Sequence, residues 1–552
     1  PSGDQRERAI QYVYEKYGAR GAAMTANVIT YRGRSAAREV GKALGFDGET
    51  LDRLSSLVSG WEYQDSQDTL ENHFRQSGLD LSHPRIRKFL ELCLSLQALP
   101  RHLGQHSGGM IVCQGQLDSV VPLEPATMPG RVVAQWDKDD CADLGIIKID
   151  LLGLGMMAVL EDTIRLIENH YEERVDLAHL PPDDPEVYKG LQRADTVGLF
   201  QIESRAQMSC LPRLRPERFY DLVVQVAIIR PGPIVGDMVH PYLRRRQGRE
   251  PVTYPHPSLA SVLGRTLGVP LFQEQLLKMA MITADFSGGE AEELRRAFGF
   301  KRAEARMQDV EKRLRAGMNR KGITGKAQDQ IVQSITSFAL YGFPESHAAS
   351  FALLAYASAY LKRHYLAAYT AAMLNNQPMG FYSPATLVKD AQRHGLKVKC
   401  IDVARSDWSC TLEQENDAWA VRLGLRYVKG LREGAVQALV AERAQRSFES
   451  LDDLVRRVPH LRKDELVTLA EVGALNSLGA ATRGRFHRRT ALWQIERAVR
   501  PTGALLEKLE ESAPDSPLNP MTPEERLIAD FRSAGLTVGK HPMAWRRAEM
   551  QR

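Results

Sequence analysis

The chain has 552 residues, 43% of them hydrophobic and 26% charged, a composition typical of soluble globular proteins and a length too great for one compact core. No apolar run approaches the roughly 18 residues of a membrane helix, and the polar N-terminus has no signal-peptide pattern, so no membrane partner is expected. The six cysteines form no C-x-x-C pair, which argues against zinc and for a reducing, cytoplasmic setting; the net charge of +5 leans only weakly toward a polyanionic partner.

Gln5 to Tyr17 reads as an amphipathic helix, with Ile10, Val13, Tyr14 and Tyr17 at helical spacing and Gly18 to end it. A basic segment follows, in which Ser35 is placed to cap a helix carrying Arg38 and Lys42 on one face beside Arg32 and Arg34. Helical patterns continue to about Gln97. HSGGMIV (106–112), GRVVAQW (130–136) and GIIKID (145–150) then read as strands of a small mixed sheet, with the helical insertion before it. From Met156 helices dominate. RPGP (230–233) and YPHP (254–257) punctuate them, and NNQPMGFYSP (375–384) reads as a domain boundary. TLEQENDAWAVRLGLRYV suggests a hairpin, followed by helices to about Gly479 and a Pro- and acid-rich linker. The basic clusters LRRRQGR (243–249) and RGRFHRR (483–489) are solvated surface by default.

Chemistry concentrates in IIKIDLLGLG. Strand alternation puts Lys148 and Asp150 on one face and sends Ile147 and Ile149 the other way, into a core. A charged pair at a strand end before a glycine turn suits a metal on Asp150 and a phosphate on Lys148; a salt bridge or an exposed strand end would need the same residues. Two-metal phosphoryl transfer requires at least two carboxylates. Asp137, Asp139 and Asp140 of QWDKDD are close in sequence, but their spacing favours a turn. In EELRRAFGFKR (292–302), Arg295 and Arg296 could fork onto a triphosphate or form a solvated helix face. In YGFPESHA (341–348), Pro344 and Ser346 set up a helix start with His347 in its first turn, where free N–H groups attract phosphate. Phe351, Tyr356 and Tyr360 beyond it read as core. In VKGLREGA (428–435), Gly430 and Gly434 bracket a turn of the helix-hairpin-helix kind, which presents N–H groups to DNA phosphates.

These elements, with the VGKALG helix, GLFQIES (198–204) and PLFQEQ (270–275), stand along nearly the whole chain in the order of the bacterial DNA polymerase III alpha subunit family, which the chain resembles. The resemblance implies a mostly helical α+β chain: a nucleotidyltransferase-like palm sheet (part; 1–27 and 106–155), a helical thumb (28–105), large helical fingers (156–378), a helix-hairpin-helix region (379–480) and a linker with a C-terminal segment (481–552). It implies Mg²⁺-dependent addition of deoxynucleotides to a primer 3′ end, with Asp150 as one metal-binding catalytic carboxylate. Lys148, Arg295 and Arg296 match residues that hold the nucleotide triphosphate, and Arg230, Gln273, Tyr341 and His347 sit in motifs near it. DNA is expected along Arg32, Arg34, Arg38 and Lys42 and at Lys429, Gly430, Arg432 and Gly434. Arg432 stands where the family's hairpin usually has glycine, which puts close phosphate contact there in doubt. The other two aspartates of the expected two-Mg²⁺ site belong to a D-x-D before Pro1, so the chain is read as a piece that binds DNA without copying it. QYVYEKYG and the segment 521–543 look most like the error-prone, damage-inducible branch, which is expected to reach a sliding clamp through an accessory protein. The main replicative subunit and an inactive DNA-binding scaffold are the alternatives.

Overall fold

The first helix runs Gly3–Tyr17. Gly18 ends it with a φ of +73° and an N–H on the Tyr14 carbonyl, as the sequence suggested. This computed structural model describes residues 3–57, 82–229, 236–299, 304–339, 343–478, 486–499 and 516–550. They fall into two compact units divided between Met157 and Ala158. The fold is mostly helical α+β.

The first unit is built on five strands: β1 (Ala22–Thr30), β2 (Pro100–Val112), β3 (Leu123–Pro125), β4 (Val132–Ala134) and β5 (Lys148–Asp150). Their order is β3-β4-β1-β2-β5, with only β1 and β4 parallel. The central strand β1 had no sequence signal. It begins with five consecutive buried residues, so it lacks the alternation that marks a half-exposed strand. On one sheet face Ile10 of the first helix packs with Met24, Met110 and Val133. On the other, Ala23, Ile111 and Ala134 pack with Cys141 of the short helix Lys138–Asp143.

The helical insertion lies inside this sheet in chain order, between β1 and β2. Its helices Gly33–Ala43, Gly48–Leu57 and Pro84–Leu96 share a core of Ala37, Val40, Phe89 and Cys93. Gly41 of VGKALG is needed there, because a Cβ would stand 2.3 Å from Leu51. Ser35 caps differently from expectation: it lies in the first turn and its Oγ accepts from Arg32 N–H at 2.9 Å.

In the second unit, the helix Phe219–Ile228 packs along Glu345–His364. The helices Gln273–Ala284, Gly288–Gly299, Glu304–Arg320 and Gly325–Ala339 enclose a separate apolar core around Met279, Leu314 and Ile331. The expected hairpin is β7 (Thr411–Glu415) and β8 (Ala418–Arg422), joined through Asn416 and Asp417 at positive φ, with β6 (Val398–Lys399) alongside β8. Helices Glu433–Gln445, Leu451–Arg457 and Lys463–Glu471 follow. Most of the expected linker lies outside the described residues. No helix among the described residues is long and apolar enough to cross a membrane.

Candidate active site

β5 is an edge strand of three residues, in register with β2 as Gly109↔Asp150, Met110↔Ile149 and Ile111↔Lys148. Lys148 and Asp150 therefore share the face of Ile111, and the Lys148 Nζ donates to both Asp150 oxygens at 2.6 Å. Asp150 remains 44% exposed and Lys148 only 20%. The expectation for the opposite face fails: Ile147 is 79% and Ile149 51% exposed. Ile149 lies on the edge strand and Ile147 just before it, so alternation separates the faces correctly without telling which is covered.

The HSGG motif is a bulge. Met24 pairs with Met110 and Ala26 with Gln105, so the single residue Thr25 of β1 lies opposite four residues of β2, His106 to Gly109. His106 folds back on this bulge, its Nδ1 accepting from the N–H groups of Gly108 and Gly109 at 3.0 and 2.6 Å. An Nδ1 that accepts two N–H groups carries a lone pair. Its 4.0 Å approach to Asp150 is therefore no ion pair. Packing crowds both glycines. A Cβ on Gly109 would lie 2.6 Å from Thr25 Oγ1 and 2.9 Å from Lys148 Cδ; one on Gly108 would meet Leu152 at 2.7 Å.

Two of the neighbouring aspartates are committed elsewhere. Asp137 caps the helix Lys138–Asp143 by accepting from Asp139 and Asp140 N–H, and Asp140 accepts from Asp137 N–H at 3.0 Å. QWDKDD is thus a capped helix start where the sequence suggested a turn. Among the described residues, the one trio of close metal-type ligands is Asp195, Asp390 and His394. Lys362 places its ammonium 2.7 Å from Asp390 and 3.5 Å from Asp195, where a cation would sit.

Three motifs of the second unit converge. Gln273 opens its helix with its N–H on the Phe343 carbonyl at 3.1 Å, and Glu274 accepts from Glu345 N–H at 2.9 Å. PLFQEQ and FPESHA are therefore clamped together, and a carboxylate already sits at the start of the helix Glu345–His364. This takes one of the N–H groups expected to be free there. Ser346 lies within the helix and Pro344 caps it. His347 is exposed, stacked between Phe343 and Phe351 at 5.1 and 4.2 Å, and Phe351 meets Phe200 of GLFQIES. Tyr356 is buried core, as expected. Arg295 and Arg296 lie on the helix Gly288–Gly299 with side chains outside the described residues, where Arg230 and Tyr341 also fall.

Residues 2–153 match the family model for the bacterial DNA polymerase III alpha NTPase domain, and residues 156–322 the finger domain of the same subunit. The chain belongs to the bacterial DNA polymerase III alpha subunit family. Residues 395–485 also match a helix-hairpin-helix motif. Relatives along the whole chain carry the name error-prone DNA polymerase. That of Alkalilimnicola ehrlichii is 46% identical, over all of this chain and 53% of its own length. That of Anaeromyxobacter dehalogenans is 47% identical over 98% of this chain and 49% of its own length. That of Pseudomonas fluorescens is 45% identical over 99% and 53%. The chain spans about half the length of these relatives.

Within this family member, several expected DNA-facing cations are internal cross-links. Lys429 Nζ donates to the carbonyls of Phe531 and Arg532 at 3.1 and 2.8 Å, at the end of the helix Pro523–Ala534. Gly430 turns the chain at a φ of +78°, and Gly434 already lies in the helix Glu433–Gln445. Arg432 Nε and an amino nitrogen each sit 2.9 Å from a Glu465 oxygen, and Glu465 also accepts from the N–H groups of Arg432 and Arg462. The usual hairpin glycine is thus replaced by a latch between two helix starts. Burial works against the Glu465 anion, but these donors outweigh it and hold the carboxyl at about 2. The cluster LRRRQGR is likewise consumed, Arg244 and Arg245 on Glu250 and Arg246 in a two-pronged pair with buried Asp221; Arg488 and Arg489 pair with Asp530 and Glu525. Along the insertion, Arg38 meets Asp52 at 3.0 Å and Lys42 meets Glu39 at 3.2 Å, while Arg32 and Arg34 are exposed. His106, Thr25, Glu274 and Glu465 were not singled out from sequence; the first and third stood inside quoted motifs, which was the available signal.

Proposed function

We propose that this chain carries part of the catalytic core of a template-directed DNA polymerase that adds deoxynucleotides to a primer 3′ end, of the error-prone kind for which its relatives are named. The observation that supports this most is the Lys148–Asp150 pair, held at a sheet edge opposite the HSGG bulge in a chain of this family. Asp150 is then one carboxylate ligand of a divalent-metal site, with Mg²⁺ as the ion. Asp150 is the carboxylate held against Lys148, and a two-ion clamp needs at least two. Asp150 fits one ligand position of that clamp. Bound Mg²⁺ would neutralise charge on the triphosphate oxygens.

Lys148 pairs with Asp150 here, and its ammonium can be handed to a triphosphate when a metal replaces it at the carboxylate. Arg295 and Arg296 are the further triphosphate ligands in this reading, with Arg230, Gln273, Tyr341 and His347 around the nucleotide. Primer-template DNA follows the exposed cations of the insertion, Arg32 and Arg34 first. Clamp contact through an accessory protein belongs to the same reading.

Primer extension by the full-length protein tests it. Asp150→Asn keeps shape and removes charge, so extension should fall at least about a hundredfold while DNA binding persists. Extension that survives the substitution would refute the assignment. Efficient bypass of an abasic template site supports the error-prone reading; high processivity on intact template alone would favour the replicative one.

A further inference from the structure

The strand that carries Asp150 is poorly secured by its own backbone. It has three residues, one hydrogen-bonded neighbour and an open edge whose Ile147 and Ile149 are exposed. Its neighbour β2 carries the four-residue bulge, whose last residue, Gly109, is the partner of Asp150. A bulge leaves carbonyls without a ladder partner.

Arg6 supplies what is missing. From the first helix its Nε donates to the Leu151 carbonyl at 2.7 Å, and an amino nitrogen donates to the Ser107 carbonyl. Leu151 N–H in turn donates to the Gly108 carbonyl at 2.7 Å. One planar guanidinium thus bridges the bulge and the residue that follows Asp150, doing across two strands what a backbone rung does elsewhere. The rest of the helix fixes where Arg6 stands. Glu7 pairs with buried Arg131, Ile10 is fully buried, and the Tyr14 hydroxyl donates to the Val132 carbonyl at 3.0 Å. Ile10 packs with Met110 and Leu151, whereas Asp150 lies on the face of Ile111. Arg6 therefore works on the backbone from the side opposite the carboxylate.

We propose that Arg6 is a positioning residue for Asp150: it holds the end of β5 against the HSGG bulge without itself touching DNA, nucleotide or metal. This rests on the polymerase reading above.

Hydrogen exchange and primer extension on Arg6→Ala and Arg6→Lys in the full-length protein test it. In Arg6→Ala the Leu151 amide should exchange roughly tenfold faster, as expected for loss of two hydrogen bonds at a partly exposed site, while Val133 and Ala134 in β4 keep their rates. Extension should fall in kcat by about the same factor with DNA affinity unchanged. Arg6→Lys, which can reach one carbonyl, should recover part of both. Unchanged exchange at Leu151 would overturn the proposal. So would acceleration spread over the whole sheet, which would make Arg6 a general fold contact, and so would localised acceleration with unaltered kcat. If the unsubstituted protein extends no primer, the polymerase reading fails and the catalytic half of this proposal with it; the exchange data still decide whether Arg6 ties the strand.

Discussion

Replacing Glu465 with Gln removes the charge that ties the hairpin turn at Arg432 to the start of the helix Lys463–Glu471. Glu465 is 2% exposed and receives the Arg432 guanidinium and two backbone N–H groups. A carboxyl held at about 2 instead of an ordinary 4.5 contributes on the order of 3 kcal/mol at neutral pH. The folded-state value is the depressed one, so this stability is complete above about 4.5 and is lost as pH falls toward about 2. At pH 7, protection of the Leu466 and Leu469 amides should drop roughly a hundredfold in Glu465→Gln, the equivalent of that free energy. In the unsubstituted protein the same amides should lose protection, after correction for intrinsic rates, as pH is lowered through that window. Glu413, paired with Arg422 and Lys399, is also held at about 2 and titrates there too. Being present in both proteins, it cancels in the comparison. Equal protection of the two proteins at pH 7, or full protection of the unsubstituted one well below pH 3, would refute the reasoning.

Gly109→Ala should strain the bulge, since its Cβ would press on Thr25, His106 and Lys148 at once; thermal unfolding of the first unit should show a loss of about 1–3 kcal/mol, and extension should fall with it. DNA affinity measured by fluorescence anisotropy should decline steeply with salt. Arg32→Gln with Arg34→Gln should flatten the log–log slope by about 2, while Lys429→Gln leaves it unchanged because Lys429 is spent on carbonyls. Equal slopes for all three proteins would remove the insertion from the DNA path.

The sequence made some features readable and hid others for definite reasons. The first helix, the β7–β8 hairpin and the shared face of Lys148 and Asp150 follow from local periodicity and turn chemistry, and they stand as expected. β1 was hidden because its start, AAMTA, is buried on both faces and so shows no apolar–polar alternation, with Thr25 as its one β-branched residue. Ile147 and Ile149 misled because covering a face is a tertiary property. The basic clusters misled in the same way. Arg246, Arg432 and Arg488 look alike on paper, and only folding brings Asp221, Glu465 and Asp530 to them from 25, 33 and 42 positions away. Arg6 could not be seen either, because its partners are backbone carbonyls, which have no letter in the sequence.

The bulge also acts as a counting device. Four residues of β2 are set against one of β1, and the strand resumes with Met110 and Ile111 on their proper faces. Deleting one residue between His106 and Gly109 would exchange those faces, and would turn the register that β2 hands to β5 by half a pleat. Asp150 would then point to the side of the first helix. Length between Gln105 and Met110 is therefore as tightly specified as composition.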